Sequence, residues 1–156
     1  MRWFTRRPTF SDGEVDLVLS NEDVADPVCG IVDGFTFYMY KARTRHYMGY
    51  VSLRMGESGG LYYLGHIGYR VEREYRGRHL AERSCRMMIP LLQRMNIRSL
   101  VITTNVENTP SRRTAERLGC ELESIVAVPQ EYRGICAGAT HKCRYIWRIP
   151  GGAWNE

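Results

Sequence analysis

The stretch Arg73–Ser84, REYRGRHLAERS, begins as a turn and ends as a helix, and no Ser, Thr, Asp or Asn stands at the join to cap it. A helix start leaves about four backbone N–H groups without partners, and with the positive end of the helix dipole they attract an anion. Gly77 permits close backbone approach, and Arg76 and Arg78 add formal charge. The bland alternative is a strand-to-helix loop with solvated arginines. The glycine-bearing strand before it and the long amphipathic helix after it favour a bound pyrophosphate. A second EYRG, Glu131–Gly134, precedes a loop instead of such a helix and is not expected to bind phosphate.

Other reactive residue types are less organised. The five cysteines (Cys29, Cys85, Cys120, Cys136, Cys143) are odd in number and scattered, which argues against a disulfide framework and for a reduced, cytoplasmic protein. None has an evident base partner in the sequence, so a covalent cysteine intermediate is not expected. Cys136, His141 and Cys143 have ligand-like spacing but lack a matching second pair, so no metal is expected.

These residues need elements to position them. Alternation marks Gly13–Ser20 as a strand, and aromatic and β-branched content marks Gly34–Ala42 and His46–Arg54 as an antiparallel hairpin. Leu61–Val71 reads as a further strand, with Gly65 and Gly68 hinting at a bulge or a close approach. An apolar stripe predicts a helix over Arg78–Met95, kinked at Pro90. A strand over Arg98–Asn105 follows. Next comes a helix over Thr109–Gly119, with Thr109 as cap and Pro110 at its first position. Strands over Glu121–Pro129 and Cys143–Ile149 flank the loop Gln130–Lys142. A strand–helix–strand crossover makes its two strands parallel.

Bulk properties agree with one α/β domain over residues 1–156. The chain is 44% hydrophobic and 25% charged, ordinary for a globular protein. No apolar window approaches a membrane span, and the basic N-terminus lacks the apolar run of a signal peptide. The net charge of +5 suggests an anionic partner. The arginines are dispersed and no nucleic-acid motif is present, so nucleic acid is not the expected one.

The segments IGYRVEREYRGRHLAERSCRMMIPLL and SLVITTNVENTPSRRTAERLGCE resemble the cofactor-binding half of GNAT-superfamily N-acetyltransferases, above all those acting on protein N-termini. The resemblance covers Ile67–Glu121. It implies a mixed, mostly antiparallel sheet with a central splayed parallel strand pair, and acetyl-CoA as cosubstrate. The family's phosphate loop falls on Arg76, Gly77, Arg78, His79, Leu80 and Ala81. By the same resemblance, backbone groups of Tyr69 and Val71 would pair with the pantetheine arm. The side chains of Asn105 and Asn108 would hold that arm, and Ser111 would serve the departing sulfur. Ser111 and Asn105 are thus the candidate catalytic residues, and an N–H near Val71 the candidate oxyanion donor.

The implied acceptor is an amine, on a small molecule or a peptide N-terminus. Three departures stand out: His79 replaces the loop's central glycine, Ala115 a tyrosine that donates a proton, and Gly65 a glutamate. His66 beside it projects to the opposite strand face. These losses motivate an alternative, a coenzyme A-binding module without turnover. Asn21–Asp33 has room for about one turn instead of two helices, which implies an open acceptor face or a homodimer that completes it.

Overall fold

The computed structural model describes residues 9–21 and 25–151. Most of the basic N-terminal stretch and residues 22–24 of the short connection therefore lie outside the described residues. The rest of that connection carries a turn closed by the Asp26–Ile31 bridge.

Eight strands form one sheet. In chain order they are β1 (Thr9–Ser11), β2 (Val15–Asn21), β3 (Asp33–Lys41), β4 (Tyr47–Met55), β5 (Ile67–Val71), β6 (Ser99–Asn105), β7 (Glu121–Ala127) and β8 (His141–Arg148). Their order across the sheet is β1-β2-β3-β4-β5-β6-β8-β7, antiparallel everywhere except between β5 and β6. The helices are α1 (Gly59–Leu64), α2 (Leu80–Met87), α3 (Ile89–Arg94) and α4 (Thr109–Arg117). The expected fold class, including the parallel pair at the centre, is the one observed.

The alternation seen in the sequence becomes a two-faced sheet. Val15, Leu17 and Leu19 of β2 and Phe35, Phe37 and Met39 of β3 point into the core. So do Val51 and Leu53 of β4 and Leu100 and Ile102 of β6. Leu80, Cys85, Leu91, Leu92 and Ala115 cover them from the helical layer. Burying each large apolar side chain contributes about 1.5–3 kcal/mol. Arg83 then ties α2 to the β1–β2 turn, with Nε 2.7 Å from Asp12 and Nη1 2.8 Å from Glu14.

Two expectations change. The strand expected over Leu61–Val71 starts at Ile67, because Ser58 caps a short helix through the Leu61 N–H at 3.1 Å. Gly65 ends that helix at φ 82°. The helix expected over Arg78–Met95 is two helices, divided at Met88, because Pro90 has no N–H to continue the first.

Gly65 explains its own identity. A Cβ there would lie 3.0 Å from the Thr103 backbone nitrogen, on a backbone conformation unfavourable to other residues. Gly65→Ala is expected to cost about 1–3 kcal/mol, read as a lower urea midpoint with an unchanged slope.

Candidate active site

The site begins where β5 leaves β6. The two strands share one registered pair, Ile67 with Ile102. His66 fastens that narrow end: its N–H donates to the Val101 carbonyl at 2.8 Å, and the Val101 N–H donates to its Nδ1 at 3.0 Å. Burial pushes the His66 pKa down and favours the neutral ring. His66 is therefore a structural fastener.

Beyond this pair the backbone opens. On the β4 side, Arg54 N–H donates to the His66 carbonyl at 2.7 Å and Glu72 N–H to the Met48 carbonyl at 2.8 Å. Strand groups alternate in direction, so Gly68 and Arg70 also face β4, while Tyr69 and Val71 face the gap. The Val71 carbonyl is taken by Arg76 Nε at 3.0 Å. Its N–H and both backbone groups of Tyr69 have no strand partner there among the described residues.

A cavity of about 720 Å³ joins this gap to the start of α2. It is lined by Tyr69, Val71, Arg76, Gly77, His79, Leu80, Ala81, Asn108 and Ser111 from the expected set, together with Tyr50, Arg70, Arg113 and Arg117. Arg78 stands outside the lining, its guanidinium 5.8 Å from the Tyr75 ring centre.

The missing helix cap is confirmed in detail. His79 occupies the N-cap position with no side-chain cap, and the first helical bond runs from Arg83 N–H to its carbonyl at 2.9 Å. Among the described residues, the N–H groups of Gly77 through Glu82 have no acceptor. His79 adopts the left-handed conformation, φ 58° and ψ 29°, and so reproduces the backbone that a glycine would supply. Its side chain is 57% exposed and does not fill the loop.

On the opposite wall, Asn108 and not Thr109 caps α4. Its Oδ1 accepts from the Ser111 N–H at 3.2 Å, which leaves its NH₂ group for a ligand. Ser111 Oγ lies 2.9 Å from the Tyr69 hydroxyl. Ala115, one turn further on, is fully buried in the core. Asn105 does not line the cavity. Counted from the Ile67–Ile102 pair it lies level with Arg70 across the gap, and its Oδ1 is buried without a partner.

Tyr69's side chain, Arg113 and Arg117 were not expected. Pro110, Arg113, Thr114 and Arg117 recur at helical spacing, a pattern that would have exposed the two arginines. No local pattern signals Tyr69, which meets Ser111 from 42 residues away.

The walls are braced by charge. Glu82 accepts from Arg117 Nε at 2.8 Å and Arg86 Nε at 3.2 Å, and Arg86 Nη2 donates to the Arg117 carbonyl at 2.7 Å, linking α2 to α4. Desolvation raises the Glu82 pKa, but the two guanidinium groups outweigh it and hold the carboxyl below its ordinary value. Cys136, His141 and Cys143 do not converge, and no cluster of metal-ligating side chains occurs among the described residues. Cys143 lies in the core and His141 is exposed. No helix among the described residues is long and apolar enough to cross a membrane.

A splayed parallel pair thus stands beside an uncapped, amide-rich helix start. Comparison with known proteins makes the class specific. The family model for the acetyltransferase (GNAT) domain matches residues 1–121, and the chain belongs to that family. Among solved structures, the ribosomal-protein-S5-alanine acetyltransferase from Vibrio fischeri is similar, at 18% identity and a TM-score of 0.61, over 79% of this chain and 64% of that one.

The acetyltransferase from Salmonella typhimurium that modifies the N-terminal serine of ribosomal protein L7/L12 matches at 20% identity and a TM-score of 0.57, over 75% and 64% of the two chains. The microcin C7 self-immunity acetyltransferase MccE, in complex with acetyl-CoA and AMP, matches at 19% and 0.57, over 74% and 61%. At these identities the likeness establishes the fold. This chain spans less than two thirds of the length of all three. No curated protein matches the sequence.

An unfolded glutamate titrates near ~4.3. The folded Glu82 value is depressed, so its contribution is fully present above the unfolded value and is lost as pH falls through the folded one. We expect the urea midpoint to drop between about pH 5 and about pH 3, and Glu82→Gln to remove about 0.5–1 kcal/mol of that dependence.

Proposed function

We propose that the protein is an acetyl-CoA-dependent N-acetyltransferase that passes the acetyl group directly to a primary amine within a ternary complex. The observation that carries this reading is the run of N–H groups from Gly77 through Glu82, without acceptors and beside the cavity. Six consecutive donors running from the turn into the N-terminus of α2, with Arg76, Arg113 and Arg117 nearby, match the charge and oxygen content of a diphosphate. The unpaired backbone of Tyr69 and the Val71 N–H match the amides of an extended arm entering the gap. The complexes of MccE with acetyl-CoA and of a similar ribosomal L7/L12 alpha-N-protein acetyltransferase, RimL, with coenzyme A support the same cosubstrate.

Bound acetyl-CoA supplies an acyl group already activated as a thioester. The chain's contribution is largely positioning. The Val71 N–H faces the gap and would stabilise charge developing on the acyl oxygen. The Asn108 NH₂ would hold the arm, and Ser111 would present its hydroxyl to the sulfur. Asn105 does not line the cavity and retains a place in this reading only through its buried, unpartnered Oδ1.

The cysteines support direct transfer. Burial pushes the Cys120 thiol up to about 12 and raises Cys29, Cys85 and Cys136 as well, so these thiols hold their protons and make poor nucleophiles. The similar structures support an acceptor class: one modifies the N-terminal serine of ribosomal protein L7/L12, and another is a ribosomal-protein-S5-alanine acetyltransferase. A peptide N-terminus is therefore the first acceptor to test, and a small-molecule amine the second.

Ala115 and Gly65, where relatives of this family carry a tyrosine and a glutamate, favour a second reading: coenzyme A binding without turnover. Calorimetry with coenzyme A, followed by thiol release from acetyl-CoA across peptides and small amines, separates the two. The enzyme reading expects binding and release. Binding without release across the whole panel supports the module, and no binding removes both. Asn108→Ala is expected to cost about 1 kcal/mol of stability through the lost cap and to weaken coenzyme A binding by about tenfold.

A further inference from the structure

A serine hydroxyl rotates about its C–O bond and offers its proton to whichever acceptor is best placed. Ser111 is useful to a departing sulfur only if that rotation is controlled. Its backbone is already held, because its N–H donates to Asn108 Oδ1. Its side chain meets one hydroxyl, that of Tyr69, at 2.9 Å. Of two hydroxyls at this distance, one donates and the other is left with a proton to place elsewhere.

We propose that Tyr69 is a positioning residue: its phenol donates to Ser111 Oγ and turns the Ser111 proton into the gap, toward the coenzyme's sulfur. This inference rests on the acetyltransferase reading. Tyr69 sits on the strand whose backbone opens the gap, and its hydroxyl crosses to the first turn of α4. The Ser111 carbonyl, a competing acceptor for the phenol, is further away at 3.4 Å. Burial pushes the Tyr69 pKa well above its ordinary value and outweighs the opposing hydrogen bonds of the Ser111 and Thr114 hydroxyls, so the phenol keeps the proton it must donate. One turn beyond Ser111, α4 offers the methyl group of Ala115, buried in the core, and the hydroxyl of Thr114, which donates to the Pro110 carbonyl at 3.1 Å. The hydroxyl pair is thus assembled from a strand and a helix.

The C–S bond breaks with its electron pair on sulfur, the N–C bond forms, and the amine's proton passes to solvent. Ser111 donates a hydrogen bond to the sulfur while Tyr69 donates one to Ser111. Burial opposes a tyrosinate, so the pair supplies oriented hydrogen bonds and not a net proton. The thiolate takes its proton from solvent.

The test needs no acceptor. The thiol of bound coenzyme A is titrated by its ultraviolet thiolate absorbance, taken as the difference from the acetyl-CoA complex. Wild type, Tyr69→Phe, Ser111→Ala and the double variant are compared. Acetyl-CoA affinity is measured in parallel by calorimetry. We expect Tyr69→Phe to raise the bound thiol's proton affinity about tenfold while acetyl-CoA affinity stays within about twofold. Ser111→Ala should do at least as much, and the double variant should match Ser111→Ala alone.

Equal titration in wild type and Tyr69→Phe, both binding coenzyme A, overturns the role of Tyr69 and leaves the acetyltransferase reading standing. Additive effects in the double variant, or a parallel loss of acetyl-CoA affinity, also overturn it. Absence of coenzyme A binding to folded wild type overturns both.

Discussion

The site depends on the brevity of one strand pairing. β5 and β6 meet at a single registered pair, fastened by the backbone and ring of His66 against Val101. Buried peptide groups are ordinarily paired, because leaving one unmet costs about 1–3 kcal/mol. A sheet whose central strands part therefore carries a cost, which a ligand with amides and carbonyls of its own can offset. The uncapped start of α2 repeats this logic with charge in place of neutral amides. The two open regions border the same cavity, so one extended molecule can satisfy both.

What surrounds the opening keeps it in shape. Glu82, Arg86 and Arg117 lock α2 to α4, while Asn108 and Tyr69 fix Ser111 from two directions. None of these contacts is a large contribution to stability alone. Together they set the distance between the start of α2 and the start of α4 across the cavity. Preorganisation of this kind lowers the ordering needed when a ligand binds.

Much of this was legible in the chain. Alternation gave the faces of β2, because a strand with one buried side must repeat every second residue, and aromatic and β-branched content gave the β3–β4 hairpin. The absence of a cap before Leu80 was readable because capping depends on a few residue types. The cap of α4 was misassigned by one position, since Asn108 and Thr109 are both capable and only the side-chain geometry decides. α1 was hidden because Leu61–Leu64 has the composition of a strand, and its helical turn depends on the Ser58 cap and the left-handed exit at Gly65. Tyr69 and Ser111 could not be paired from sequence, because their meeting depends on how a crossover helix settles on the sheet.

The Arg83 contact extends the reach of the site to the far end of the chain. α2 presents its free amides at one end and, on its flank, grips the turn at Asp12 and Glu14, about 70 positions earlier. Proteolytic trimming or a fusion tag that displaced that turn would unseat the helix from its side. Damage at the chain's beginning would then be felt in its middle, without any residue of the cavity having been touched.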